Sequence, residues 1–129
     1  MKYISSEDIL VIHARIIDAI GGSHGVRDIG SVASVSERPK MKFGGKELYP
    51  TVFGKAAAYF ESTAFFHPFI DGNKRTAIAL AARFLSLNGY LLDVSNTAME
   101  KFVLEAVVHK YDISKISDWF KKNSKKLKK

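Results

Sequence analysis

The sequence predicts an all-α fold, a compact bundle of about six helices interrupted once by a small β-hairpin flap. Three observations carry that prediction. Apolar residues recur at helical spacing along most of the 129 residues. Capping signals of the Ser, Thr or Asp type open the apolar segments, while Gly or Pro closes them. Residues 40–50 break the helical rhythm and read as the flap. The length suits one domain, 1–129, with a single core. No internal repeat, low-complexity segment or linker divides the chain, apart from a lysine-rich tail at about 121–129.

Taken in order, Ser5 and Asp8 form a capping-box-like start, and Ile9, Ile12, Ile16 and Ile20 follow on one stripe. Gly21-Gly22 ends this helix, and His13 reads as a residue at the stripe's boundary. The segment GGSHGVRD reads as a loop, in which His24 has no companion metal ligands. A shorter helix is expected from about Asp28 to Glu37 with Ile29, Val32 and Ala33 inward, and Pro39 prevents its continuation. Next, Met41-Lys42-Phe43-Gly44-Gly45-Lys46-Glu47-Leu48 reads as a hairpin or flap turning at the two glycines. Gly44-Gly45-Lys46 lacks the longer glycine spacing and the following Ser/Thr of a phosphate loop.

A third helix, Thr51 to Phe66, shows Val52, Ala56, Tyr59, Phe60 and Thr63 on one face. A fourth runs from Asn73 to Asn88, with Asn73 as N-cap and Gly89 as left-handed C-terminal cap. Its alanines 77, 79, 81 and 82 would let the two helix axes approach closely. Tyr90–Val94 is a short extended link. Thr97 with Glu100 offers a capping box for a helix through about His109, with Met99, Phe102, Val103 and Ala106 inward. Ser114 or Asp112 caps a last helix bearing Ile116, Trp119 and Phe120, and beyond it the tail is expected to fray.

Composition excludes more than it identifies. The chain has no cysteine, which removes disulfide, thiolate and zinc–thiolate chemistry and fits a cytoplasmic setting. No apolar stretch approaches a membrane span. The net charge of +7 suggests nucleic acid until it is located. Lysines 121, 122, 125, 126, 128 and 129 supply six of the 20 basic residues, leaving 14 against 13 acidic ones elsewhere. A nearly neutral body offers no face for specific nucleic-acid binding.

Chemistry concentrates between the third and fourth helices, in His67-Pro68-Phe69-Ile70-Asp71-Gly72-Asn73-Lys74-Arg75. Asn73 at a helix start leaves backbone N–H groups without helical partners. Those donors, the helix dipole and the cations of Lys74 and Arg75 make a seat for phosphate. Gly72 permits a tight turn and close approach of a ligand to the backbone. Asp71 offers a hard oxygen that could hold Mg²⁺ bridging two phosphates. His67 suits removal of a proton from a hydroxyl. Phe69 is expected to anchor the loop in the core. The set reads as phosphate transfer from a nucleotide onto an alcohol.

The spacing His67-x-Phe69-x-Asp71-Gly72-Asn73-x-Arg75 resembles the H-x-F-x-[D/E]-G-N-x-R signature of the Fic/Doc proteins, and length and helix layout extend the likeness over most of the chain. AMP-transferring Fic enzymes have Gly after the Asn and a second Arg three residues beyond the first; here those positions hold Lys74 and Ile78, as in the Doc branch of toxin–antitoxin toxins. Gly72, where Doc proteins usually carry Ala, is closer to Fic. The resemblance implies a toxin kinase that moves the γ-phosphate of ATP, or of another nucleoside triphosphate, to a Ser/Thr hydroxyl with Mg²⁺. His67 would be general base and Asp71 metal ligand, with Gly72 and Asn73 cradling phosphate and Lys74 and Arg75 neutralising its charge. It further implies elongation factor Tu as target, arrested translation, a flap at Met41–Leu48 that docks the target by strand pairing, and a Phd-like antitoxin. The self-inhibitory [S/T]-x-x-x-E-[G/N] helix of some Fic proteins has no counterpart in this chain. AMP transfer at the same site is the alternative reading. A non-enzymatic helical DNA-binding or adaptor module is a third, which the neutral body disfavours.

Overall fold

The computed structural model describes residues 1–127. Ser5 accepts a hydrogen bond from the Asp8 N–H and caps α1 (Ser6–Ile20), which Gly21 ends. Its inward face differs from the expected stripe. Ile9, His13 and Ile17 are buried, Ile12 and Ile16 are half-buried, and Ile20 is exposed. Ile9, His13 and Ile17 form the row turned to the core, and Ile12, Ile16 and Ile20 form the neighbouring row, which leads out to solvent. Asp28 caps α2 (Ile29–Glu37) through the N–H groups of Gly30 and Ser31. Val32, Val35 and Ser36 are its buried residues, so Ile29 and Ala33 face outward instead of inward. The rotation lets Ser36 meet Ser6 of α1 at 3.0 Å.

A 3-10 turn at Arg38–Lys40 leads into β1 (Lys42–Phe43) and β2 (Lys46–Glu47), paired antiparallel with Phe43 opposite Lys46. Gly44 and Gly45 take φ of 57° and 80°, the doubly left-handed turn that a two-residue hairpin needs. The hairpin is exposed along its length, and Phe43 is 80% exposed.

Thr51 then caps α3 (Val52–Phe66), the central helix. Residues 54–60 and 62–64 are all buried, so it is covered on every side rather than along one stripe. Its Ala56, Ala57 and Ala64 are fully buried, as are Ala77 and Ala81 of α4 (Asn73–Leu87). Small side chains let these two helices pack closely, and theirs is the most extensive contact in the fold. Among the described residues one Lys, Arg, Asp or Glu is buried: Lys55, 1% exposed, donates to the Pro39 carbonyl at 3.0 Å and to Glu47 Oε1 at 2.9 Å, tying the hairpin's base to the central helix.

Asn88 and Gly89 close α4, Gly89 with φ of 89°. The following segment is a strand, β3 (Tyr90–Leu92), rather than an unpaired link. Ser95, not Thr97, caps α5 (Asn96–Val108), because Ser95 Oγ accepts the Ala98 N–H at 3.1 Å. Asp112 caps α6 (Ile113–Lys122), whose Phe120 and Ile116 are buried and whose Trp119 stacks on Phe102 at 3.9 Å. The tail does not fray where it is described. Lys121 and Lys122 complete α6, and β4 (Ser124–Lys126) pairs antiparallel with β3. The backbone edge of β3 supplies partners that the lysine side chains do not need to be buried to reach. The Asp93 N–H donates to Asn123 O at 2.7 Å and the Leu127 N–H to Gly89 O at 2.8 Å. Lys128 and Lys129, part of the expected frayed end, lie outside the described residues. None of the helices is long and apolar enough to cross a membrane, among the described residues.

Candidate active site in the α3–α4 loop

The chain reverses between α3 and α4 in six residues, and each is held. His67 ends α3 in the left-handed conformation, φ 51° and ψ 62°, a strained state for a side chain with a Cβ. Its imidazole belongs to an exposed residue. Phe69 is 1% exposed and stacks face to face on His13 of α1, with ring centroids 3.7 Å apart. Gly72, φ 76°, is the N-cap of α4.

Asn73 therefore does not cap the helix. It is the first residue inside it, buried, and its amide is fully engaged with Phe69: Oδ1 accepts the Phe69 N–H at 3.0 Å and Nδ2 donates to the Phe69 carbonyl at 2.9 Å. Its side chain clamps the loop, so any contribution to an anion seat comes from backbone N–H. With a glycine at the cap, no side chain covers the first turn of α4, and the first N–H groups of a helix have no partner within it.

Asp71 is fixed on three sides. Its carbonyl accepts from His13 Nε2–H at 2.8 Å, which sets the tautomer of that buried histidine. Its carboxylate takes the Gly72 N–H on Oδ1 at 2.8 Å and the Ser23 N–H on Oδ2 at 3.1 Å. The Ser23 N–H, then the Gly72 N–H, hold the carboxyl below the usual aspartate range, and the nearby His13 and Arg75 act in the same direction. An oxygen pair so held is an anion at neutral pH with lone pairs left over.

Lys74 and Arg75 are exposed in the first turn of α4, and among the described residues neither forms an ion pair. Cations at that end oppose the helix dipole by about 0.3–1 kcal/mol each. An anion seated there would reverse the sign of the interaction. The site residues converge: His67, Ile70, Asp71, Gly72, Asn73, Lys74 and Arg75 line one cavity of about 480 Å³, closed on the other side by Ile16, Ile17 and Gly21. The flap is not part of this cavity. Its Met41 instead shares a cleft of about 500 Å³ with Phe66, the residue before His67.

Several contributors lie outside the motif. His13 is no boundary residue but the support of Phe69 and Asp71. The loop after α1 lies along the motif loop: Gly25 O accepts the Ile70 N–H at 3.1 Å, Val26 bridges to Phe69, and the N–H groups of Arg27 and Asp28 both point at Pro68 O. The Arg27 side chain reaches further, donating from Nε to His67 O and from Nη2 to Phe66 O, each at 2.6 Å. Gly22, φ 114°, passes so close to Asp71 that a Cβ there would lie 2.7 Å from Oδ2. The signal in the sequence was the glycine-rich GGSHGVRD itself, a loop denser in special residues than a mere connection requires.

The model of the Fic/DOC family matches residues 3–85, the span from the start of the fold into the last turns of α4. The chain is 36% identical over 118 residues to Toxin Doc of Mycolicibacterium smegmatis, covering 90% of this chain and 88% of that protein. It is 35% identical over 89 residues to Protein kinase doc of Escherichia phage P1, covering 69% and 70%. The matched span contains α3, most of α4 and the whole of the cavity's motif, and the chain belongs to the Fic/DOC family.

Proposed function

We propose that this protein is a Doc-type toxin kinase, transferring the γ-phosphate of ATP, or of another nucleoside triphosphate, to a Ser/Thr hydroxyl of a protein. The observation that carries the reading is the pair of unpaired cations, Lys74 and Arg75, beside an uncapped helix start in a cavity that also holds His67 and Asp71. His67 takes the proton of the acceptor hydroxyl, whose oxygen bonds to the γ-phosphorus as the bond to the β–γ bridging oxygen breaks, and ADP leaves. The N–H groups of the first turn of α4 and the two cations hold the charge on the moving and departing phosphates, where most acceleration of a loose phosphoryl transfer arises. Asp71 would hold Mg²⁺, and its ionised, backbone-anchored carboxylate fits a hard cation. Because it is the one carboxylate lining the cavity among the described residues, phosphate oxygens and water would supply the other ligands. Bound there, the ion would neutralise phosphate charge.

The relatives named as a toxin and as a protein kinase support this reading over AMP transfer at the same site. So does Ile78, which lies not in the phosphate cavity but in an adjoining groove with Ile16, Ile20, Met99, Val103 and Leu104. Ile78 itself offers no charge to phosphates reaching one turn along α4, and beyond Lys74 and Arg75 the groove's only charged side chain among the described residues is the anionic Glu100. Gly72 is the feature that favours AMP transfer. ATP labelled separately at the α and γ positions decides between them. We expect γ-label on the acceptor and release of ADP; α-label with pyrophosphate release would overturn the kinase reading.

The same groove, about 600 Å³ between α1, α4 and α5, suits the apolar face of a helix from a Phd-like antitoxin, with Lys74 and Arg75 at its margin. The exposed hairpin would dock the target by strand pairing. Elongation factor Tu is the proposed target, with arrested translation as the outcome and the cytoplasm as the place of action. Expression alone should slow growth and a neighbouring antitoxin gene should restore it; growth unaffected by active enzyme in its native host would count against the toxin reading.

A further inference from the structure

We infer that Arg27, on the loop before α2, is a positioning residue for the catalytic histidine; the inference rests on the reading of His67 as general base. Arg27 places three donors on three consecutive carbonyls. Its Nη2 donates to Phe66 O, its Nε to His67 O, each at 2.6 Å, and its backbone N–H to Pro68 O at 2.9 Å. These carbonyls lie at the end of α3, where a helix leaves acceptors without partners and concentrates negative charge. Such an end can be satisfied by water or by any nearby donor. What the geometry adds is the conformation it holds: His67 sits at φ 51°, left-handed, between two of the gripped carbonyls.

A histidine relaxing to ordinary backbone angles would swing its imidazole away from Asp71, Lys74 and Arg75, with which it shares the cavity. Nothing else among its described contacts restrains that residue's own carbonyl, and its side chain is exposed. The guanidinium presents Nε–H and Nη2–H in one plane at fixed spacing to two successive carbonyls, and the single nitrogen at the end of a flexible lysine stem does not reproduce that fixed geometry. The loop Ser23–Asp28 gains a purpose from this. Its Ser23 N–H orients the metal-binding carboxylate and its Arg27 orients the base, so one segment outside the motif sets both ends of the site.

The test compares wild type with Arg27→Met and Arg27→Lys by four readouts: thermal unfolding, calorimetric affinity for ATP with Mg²⁺, kcat and KM of γ-label transfer to the acceptor that the wild type labels, and the imidazole ¹H–¹⁵N resonances of His67. We expect both variants to fold and to bind nucleotide as wild type does. We expect kcat to fall on the order of 100-fold, as for a misplacement of about 1 Å, with KM for ATP unchanged. The His67 resonances should move while those of His24 and His109 stay. Should Arg27→Met fail to fold, Arg27→Lys, which keeps a cation at the position, gives the same readouts. Unchanged kcat in a folded variant would overturn the inference, and so would kcat and nucleotide affinity falling in step. If wild type transfers neither label to any protein, the functional reading fails on its own account. The spectrum then decides alone, and unmoved His67 resonances would refute the positioning role.

Discussion

Gly22→Ala, set against Gly21→Ala, isolates the placement of Asp71 from everything else in the loop. Both glycines have positive φ, 99° for Gly21 and 114° for Gly22, so an alanine at either carries backbone strain of about 1–3 kcal/mol. They differ in what a Cβ meets. At Gly21 it meets nothing within 4 Å; at Gly22 it meets Asp71 Oδ2 at 2.7 Å and Ile17 Cδ1 at 3.2 Å. To restore an ordinary contact of 3.4 Å the carboxylate must retreat by about 0.7 Å. The Ser23 N–H to Oδ2 bond, now 3.1 Å, would stretch to about 3.8 Å and cease to be a hydrogen bond. Groups that orient a metal-binding carboxylate are typically worth roughly 10- to 100-fold in metal affinity or activity. Urea unfolding should show the backbone strain in both variants, with the loss at Gly22→Ala the larger because it also crowds Ile17 and breaks the Ser23–Asp71 hydrogen bond. Calorimetry with ATP, with and without Mg²⁺, should show the Mg²⁺-linked part of the affinity falling at least about tenfold for Gly22→Ala and little for Gly21→Ala. Equal Mg²⁺-linked affinity in the two variants would refute the claim that Asp71 is held for a metal.

Three further changes probe the site and the flap. His67→Ala should cut transfer by roughly 100- to 10,000-fold with fold and nucleotide binding kept, while His67→Gly, equally inactive, should be the more stable of the two by about 1 kcal/mol because it relieves the left-handed strain; near-normal turnover in either removes His67 from the mechanism. Asp71→Asn should lose Mg²⁺-linked affinity and flatten the acid limb of stability. The folded carboxyl titrates below its ordinary value of 3.8, so its contribution is fully present above that value and fades as pH falls through the lower folded value, where wild type and variant should converge in acid unfolding curves. Lys55→Met leaves the Pro39 carbonyl without its buried donor, at a cost of about 1–3 kcal/mol, and frees Glu47; KM for the protein acceptor should rise while ATP affinity holds, and an unchanged KM would separate the flap from target docking.

Which of these features could be read from the sequence follows from the distance over which each is determined. The motif residues that line the cavity all fall between His67 and Arg75, so their meeting in one site needs only a loop and a helix start. Helix existence was equally local: Ser5, Thr51 and Asp112 each accept from an N–H three residues on. Faces were harder. The inward side of α2 is set by Ser36 meeting Ser6 and by Val35 packing, neither visible in nine residues whose apolar pattern is weak. Residue type points Asn73 to the cap, yet Gly72 takes that place and the carbonyl and N–H of Phe69 draw the Asn73 amide inward. The β3–β4 pair and the brace from Ser23 to Asp28 join segments tens of residues apart, and no spacing rule signals such contacts.

The brace also explains why a site so short in sequence needs the rest of the domain. A six-residue loop with an alpha-left histidine at one end and an alpha-left glycine at the other would relax if it were held only by its flanking helices. Three supports prevent this, from three directions. Asn73 ties the loop's middle to α4 through Phe69, His13 of α1 stacks beneath that phenyl ring and holds the Asp71 carbonyl, and the Ser23–Asp28 segment grips carbonyls 66 to 68 and the Asp71 carboxylate. The groups that would meet phosphate and acceptor, by contrast, are left free at the surface: the imidazole of His67 and the cations of Lys74 and Arg75. Rigid backbone beneath uncommitted side chains is the arrangement that transfer by alignment and charge requires, and α1 with its following loop is therefore as much a part of the site as the motif.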